Sequence, residues 1–206
     1  MELMRIQSLL LSACAVTLLA GCATSSLTPT VETRQSIITY DLQNIEYIDA
    51  ADRIVATHRA VMSSARIERN FAPDPLPPTP GRITMTNPLY NSPMAGLAAY
   101  GGTQFQLPEC SGAQLVISAD DTSFGRYGET TRYTSCVWAY DGGVHLEIYS
   151  AFTQRSGASA DLIGRQVAQS VLNRSSADFI ERTHSRVVTD LEAAGAVVTQ
   201  TGRRQS

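Results

Sequence analysis

The sequence predicts an α+β fold, in which a small antiparallel sheet with a central hairpin packs against an N-terminal helix and two C-terminal helices. Apolar residues at helical spacing come first in the folded part. Strand-like segments follow at 114–118, 130–140 and 144–152, and two further helical segments end the chain. Grouped rather than alternating helices and strands favour an antiparallel sheet with helices mainly on one face.

The first 22 residues have the parts of a secretory signal: a charged start, an apolar stretch over 6–20, and small residues before Cys22. The stretch is shorter than the ~20 residues that a membrane-spanning helix needs, which favours a signal over a permanent span. Residues 19–22 (Leu-Ala-Gly-Cys) resemble the lipobox of bacterial lipoproteins. The resemblance covers these residues alone. The alternative is an ordinary signal whose cleavage site abuts a cysteine.

The resemblance implies cleavage between Gly21 and Cys22, which removes a signal peptide of residues 1–21. It also implies a thioether-linked diacylglycerol on Cys22 and an acyl group such as palmitate on its new amino terminus. Two or more chains give stable anchoring, because each buried methylene adds ~0.8 kcal/mol. Ala23, rather than aspartate, follows the cysteine. The resemblance therefore implies the outer membrane, with the protein at its periplasmic face.

The mature chain is predicted to be one domain on a tether. Lipidated Cys22 and residues 23–35, rich in Ser and Thr, form the flexible tether. Residues 36–200 form a single α+β domain, and 201–206 form a polar tail. The first apolar residues of the domain, 37–40, fit either a short strand or the entry to a helix.

The first helix is predicted over 41–66, where apolar residues recur at spacings of three and four. Five prolines in 73–80 then exclude helix and central strand and predict a stiff connector. It is a spacer, or alternatively a ligand for a proline-binding partner. Residues 82–86 alternate as a strand does. The Gly- and Pro-rich stretch 87–112 is predicted to be a long loop whose aromatics form a contact surface or pack over the sheet edge.

The central sheet is predicted from 114–118 and from a hairpin with arms 130–140 and 144–152 around Asp141-Gly142-Gly143. Asp120 and Asp121 are predicted to lie in a turn. A period of two places Val144, Leu146, Ile148 and Phe152 on the core side, and His145, Glu147 and Tyr149 on the other face.

Two helices are predicted to close the chain. The first covers 161–172. The second follows a capping box formed by Ser175 and Asp178 and ends at Gly195. Residues 196–199 could add an edge strand.

The four cysteines divide by position. Cys14 leaves with the signal and Cys22 is assigned to lipid, so Cys110 and Cys136 remain in a compartment that favours disulfides. A bridge between them would add ~3 kcal/mol on the chain-entropy model. The alternatives are a metal-binding pair and a reactive thiol.

No catalytic, metal or cofactor site is predicted. All sixteen basic residues are arginine, which excludes Schiff-base lysines and phosphate-loop lysines. His145 and Glu147 share a strand face, but one such pair cannot complete a zinc site. His58 and His184 lie in helical patterns and are predicted at the surface or its boundary. A net charge of −3 without basic runs argues against nucleic acid as a partner.

The sequence therefore favours a non-catalytic envelope lipoprotein, attached to the membrane through Cys22, that binds an envelope protein partner or assists assembly. One alternative is a small-molecule or lipid-binding lipoprotein with a pocket beneath 87–112. The other is a cell-wall hydrolase that uses His145 and Glu147.

Overall fold

A computed structural model describes residues 30–62, 64–87, 106–121, 130–156 and 175–205 of the 206-residue chain. The signal and lipobox, the predicted helix 161–172 and most of the predicted loop 87–112 lie outside these residues. The described elements are β1 (Thr30–Gln43), α1 (Tyr47–Val61), β2 (Arg66–Arg69), β3 (Thr84–Thr86), β4 (Leu107–Glu109), β5 (Leu115–Asp121), β6 (Thr130–Tyr140), β7 (Gly143–Ser156), α2 (Ser176–Ala193) and β8 (Val197–Gln205).

Six strands form one antiparallel sheet in the order β2-β5-β6-β7-β1-β8, and β3 pairs with β4 in a separate two-stranded ribbon. Both helices pack on one face of the six-stranded sheet. They also contact each other, and the Thr57 hydroxyl of α1 donates a hydrogen bond of 2.7 Å to Asp190 of α2. The predicted α+β class with an antiparallel sheet is confirmed.

The main core lies between the sheet and the two helices. Alternate residues of each strand supply one side of it, since successive side chains of a strand point to opposite faces. The helices supply the other side through residues spaced three and four apart. Its fully enclosed members include Leu42, Ala50, Ala51, Ile54, Leu115, Ile117, Val137, Leu146, Ile148, Val187 and Leu191.

The prediction for residues 23–66 is wrong at both ends. Strand β1 includes residues assigned to the tether and the first residues of the predicted helix, and β2 occupies its last residue. Ile38, Tyr40 and Leu42 enter the core with a period of two. Leu42 also lies three residues before Ile45, and that spacing fits a helix equally well. Asn44 then adopts a φ of 60°, a left-handed conformation that asparagine tolerates, and the chain turns into α1.

The hairpin between β6 and β7 is confirmed, with Asp141 and Gly142 as its two-residue turn. Its register places Val144, Leu146 and Ile148 in the main core, as predicted. The predicted turn at Asp120 and Asp121 is wrong. Strand β5 continues through both residues because they pair with Arg132 and Thr131 of β6.

The described C-terminal helix is confirmed together with its cap. The Ser175 hydroxyl accepts from the Asp178 amide, and the Asp178 carboxylate accepts in return from the Ser175 amide. Gly195 follows the helix with a φ of 93°. The predicted polar tail is wrong, because β8 continues to Gln205 and pairs with β1. An edge strand can carry such charged side chains, since one of its borders faces solvent.

The sheet face opposite the helices is buried as well. Residues 77–86 and 107–113, which we call the cover layer, lie across it. The Pro77 carbonyl accepts from the Asp141 amide (2.9 Å), and Trp138 Nε1 donates to the Ser111 carbonyl (3.1 Å). The predicted disulfide between Cys110 and Cys136 is present and joins the cover layer to β6.

The cover layer corrects two predictions. Predicted strand 82–86 is shorter, and its partner is β4, which lies in the stretch predicted to be loop. The layer encloses a second, smaller core that holds Ile37, Ile83, Ala113, Cys136, Trp138, Tyr149 and Ala151.

Candidate functional site

Strand register brings polar side chains together on the covered face of the sheet. Asp41 of β1 lies opposite His145 of β7, and Thr39 lies opposite Glu147. Paired residues of adjacent antiparallel strands project to the same face. We call Asp41, His145 and Glu147 the acid–histidine cluster. The sequence placed His145 and Glu147 on one face but did not supply Asp41, which was assigned to a helix.

The imidazole lies between the two carboxylates. His145 Nδ1 is 2.6 Å from Asp41 Oδ1, and Nε2 is 3.5 Å from Glu147 Oε1. The second distance exceeds an ordinary hydrogen bond, so the attraction there is mainly electrostatic. Glu147 also accepts hydrogen bonds from the Ile83 amide (2.7 Å) and the Thr39 hydroxyl (3.3 Å). The cluster thus joins β1 and β7 to the cover layer.

His145 and Glu147 are buried, and their surroundings favour the charged form of each. Glu147 is 0% exposed and His145 is 2% exposed. Burial alone would lower the pKa of His145, but the carboxylates of Glu147 and Asp41 outweigh it and raise the pKa above its ordinary value. Burial alone would raise the pKa of Glu147, but His145 and the Ile83 amide outweigh it and lower the pKa. Both shifts favour the ion pair over its neutral form.

This geometry supports a structural role. A general acid or base must reach its substrate, and neither His145 nor Glu147 lines the pockets formed by α2 with the sheet, by α2 with Val61, or by α1 with Ala194. Cys136, the β6 neighbour of Glu147, is held in the disulfide. The described residues also contain no group of three or more His, Cys, Asp or Glu arranged to hold a metal ion.

The other two histidines are buried on the helix side of the sheet, so their predicted surface position is wrong. His58 bonds to the Ile54 carbonyl (2.7 Å) and to the Ser135 hydroxyl (2.9 Å) through its two ring nitrogens. His184 has no hydrogen-bond partner at either nitrogen. Burial lowers the pKa of each to about 4. Their spacing of four from buried Ile54 and Ile180 was the sequence signal that places them inward.

A pocket of about 450 Å³ lies on the helix side, where the first two turns of α2 pass over β1, β7 and β8. We call it the α2 pocket. Sequence reasoning missed it, since its lining residues come from four separate elements. The pocket predicted beneath 87–112 falls mostly outside the described residues, as do the predicted cleavage and lipidation positions Gly21 and Cys22.

Among the described residues, no helix is long and apolar enough to cross a membrane. Comparison of the chain with protein-family models, with curated proteins and with solved structures gives no match.

Proposed function

We propose that this protein is an outer-membrane lipoprotein, anchored through Cys22, that acts at the periplasmic face as a non-catalytic protein-interaction or assembly module. The observation that carries the proposal is the disulfide between Cys110 and Cys136. Such bonds form and persist in oxidising compartments, which include the bacterial periplasm. This agrees with the destination that the lipobox resemblance implies.

The segment between β2 and β3 supports an interaction role. Phe71 is 99% exposed and Leu76 is 42% exposed, whereas the aromatic residues Tyr133 and Trp138 in the sheet are buried. Aromatic side chains are enriched at the centres of protein interfaces, where they fill apolar pockets of the partner. Phe71 and Leu76 lie just before the cover layer, which the disulfide fixes to the sheet. The partner we propose is an envelope protein that receives Phe71.

Anchoring is tested by the intact mass of the full chain extracted from membranes, beside a Cys22→Ala variant. The expected wild-type mass corresponds to cleavage before Cys22 plus the attached lipid, and the shift disappears in the variant. A wild-type protein without lipid would overturn the anchored assignment.

The partner surface is tested by replacing Phe71 with a photocrosslinking amino acid in cells. The matched control carries the same group at Arg59, an exposed position on α1. We expect a discrete adduct with an envelope protein from position 71 and none from position 59. Equal labelling from both positions, or no adduct from either, would contradict an interaction surface at Phe71.

A further inference from the structure

The α2 pocket combines cationic, hydroxyl and apolar side chains within one concave surface. Its floor is formed by the sheet and its roof by the start of α2. It is lined by Arg34, Gln35, Ser36, Ser150, Phe152, Ala177, Ile180, Glu181, Arg203 and Gln205. A volume of about 450 Å³ falls in the ordinary range for small-molecule sites.

The sheet register explains why these residues meet. Ser36 of β1 lies between Ser150 of β7 and Gln205 of β8. One row along, Arg34 lies opposite Phe152. The side chains of these paired residues project to the helix side of the sheet. Ile38, which lies two residues after Ser36 on the same face of β1, is in the core beneath the helices, so α2 can pack over the whole row.

The lining carries a positive balance, with Arg34 and Arg203 against Glu181. Arg203 pairs with Glu181. Arg34 is exposed, and the pair it makes with Glu32 is long, at 3.9 Å. Exposed pairs of this length are weak. Guanidinium groups bind carboxylate and phosphate through two parallel hydrogen bonds, so Arg34 can engage an anionic group at the rim.

The inner wall offers unpaired hydrogen-bonding capacity beside apolar surface. The hydroxyl oxygen of Ser36, a lining residue, is buried and has no hydrogen-bond partner. Leaving a buried polar group without a hydrogen-bond partner is unfavourable, and a polar group of a ligand could supply the missing partner. Phe152 and Ile180 supply apolar surface for the remainder of a ligand.

The position of the pocket along the chain indicates the source of such a ligand. Strand β1 begins at Thr30, and Arg34 lies near the start of this strand. The eight residues from Cys22 to Thr30 span at most ~28 Å when extended. If Cys22 is anchored, as proposed above, the end of the sheet that carries the pocket is held close to the lipid headgroups.

We propose that the α2 pocket binds an anionic membrane amphiphile. The phosphate-type head contacts Arg34 and Arg203 at the rim, its oxygens are available to Ser36, and the adjoining apolar part packs against Phe152 and Ile180. The membrane origin of the ligand rests on the proposed anchoring, whereas the recognition chemistry rests on the pocket alone.

The test uses the purified full chain, processed as in the cell, in neutral dodecyl maltoside. Decyl phosphate is titrated in and the one-to-one adduct is followed by native mass spectrometry. Decyl glucoside, which has the same chain and a neutral head, and inorganic phosphate, which has no chain, are titrated in parallel. We expect decyl phosphate to bind at least about tenfold more tightly than either, since both the charge and the chain contribute.

Arg34→Gln should weaken decyl phosphate binding by about tenfold, because it removes a charge-assisted contact from an exposed position that the fold does not need. Arg203→Gln is the second variant, and Arg59→Gln on α1 is the matched control expected to bind as wild type does. Equal binding of decyl glucoside, or unchanged binding by both pocket variants, would overturn the proposal. Equal binding of inorganic phosphate would replace the amphiphile with a free-phosphate site.

The same spectra report whether Cys22 carries lipid. An unlipidated chain that still prefers decyl phosphate would support the pocket chemistry while refuting the anchor. A lipidated chain without the preference would do the reverse.

Discussion

At the scale of single residues, the acid–histidine cluster is the most constrained feature of the molecule. Removing charged groups from water costs several kcal/mol for each, and only close pairing with further hydrogen bonds compensates that cost. His145 is flanked by two carboxylates, and Glu147 also accepts a hydrogen bond from the Ile83 amide. The loss of any one member leaves the others buried and incompletely paired.

Glu147→Gln should therefore lower the free energy of unfolding by roughly 3 kcal/mol, because it removes one charge of a buried pair. Urea unfolding at pH 6 measures this change. Asp52→Asn is the control: its ion pair with Arg69, at 2.7 Å, is shorter than the 3.5 Å contact between Glu147 and His145 but exposed, and we expect a change below about 1 kcal/mol. In the Glu147→Gln variant, NMR titration should also give a lower pKa for His145. Equal losses in the two variants would contradict a stabilising buried pair.

His184 gives a prediction with the opposite dependence on pH. Its folded pKa of about 4 lies below the ordinary 6.5, so its contribution to stability is present above pH 6.5 and is lost as the pH falls toward 4. The loss approaches ~1.4 kcal/mol per pH unit. His58 contributes a slope of the same sign, because burial lowers its pKa to about 4 as well. His184→Leu should therefore remove about half of the combined slope, measured by urea unfolding between pH 6.5 and 5.

Glu192→Gln, an exposed change on the same helix, should keep the wild-type slope. An unchanged slope in His184→Leu would show that His184 does not contribute to the slope and that His58 or another group carries it. His145 does not contribute to the slope of stability against pH in this range. Its pKa is raised, so its contribution is complete below pH 6.5 and is lost only at higher pH.

Which residues could be placed from sequence depended on how local their signal was. The capping pair Ser175 and Asp178 was predictable because its spacing alone defines the motif. The bridge between Cys110 and Cys136 followed from counting the thiols left after export. Asp41 was not predictable as a partner of His145, because their proximity depends on the register of strands distant in sequence.

At the scale of elements, the cover layer determines that the second face of the sheet is buried instead of exposed to solvent. Antiparallel sheets commonly keep one face in solvent, and the alternation in β7 predicted that arrangement equally well. Here His145, Glu147 and Tyr149 are enclosed by a proline-rich segment with little regular structure of its own. Such a segment has no periodic pattern, so the sequence could predict its stiffness but not its docking position.

Gly81 should be the critical point of that docking. A Cβ atom added there would lie 2.3 Å from Trp138 Nε1, which forces the backbone away from the ring. Gly81→Ala should therefore destabilise the fold by about 1–3 kcal/mol, as overpacking does. Thermal and urea unfolding measure the change. Gly202→Ala is the control, because its added Cβ would meet only ordinary contacts of 3.4–3.5 Å, and we expect little loss. Equal effects would argue against close packing at Trp138.

At the scale of the whole molecule, the sheet separates two cores that are closed by different kinds of structure. The larger one is closed by helices and the smaller one by the cover layer with its disulfide. The α+β class, the hairpin and the C-terminal helix were predictable from periodicity. The central position of β1 was not, because strand order is set by long-range pairing that leaves no local pattern.

Replacing Cys110 and Cys136 together with serine should lower the free energy of unfolding by ~3 kcal/mol, as expected for a loop closed over 26 residues. Hydrogen exchange should show the largest loss of protection at the Ile83 amide, with α1 nearly unaffected. Reduction of the wild-type protein should reproduce the change, and the reductant should have no effect on the double variant. Uniform loss of protection across both cores would contradict an independently secured cover layer.

The pairing of β1 with both β7 and β8 sets the order in which the protein can be completed. Residue 37 is synthesised well before its partner at position 204. Until then one border of β1 presents unpaired amides and carbonyls, a template for pairing with other chains. Such distant contacts also slow folding. The pairing of β1 with β8 can therefore form only after residues 197–205 have been synthesised, and we expect a chain truncated before Val197 to keep that border open and to aggregate more readily.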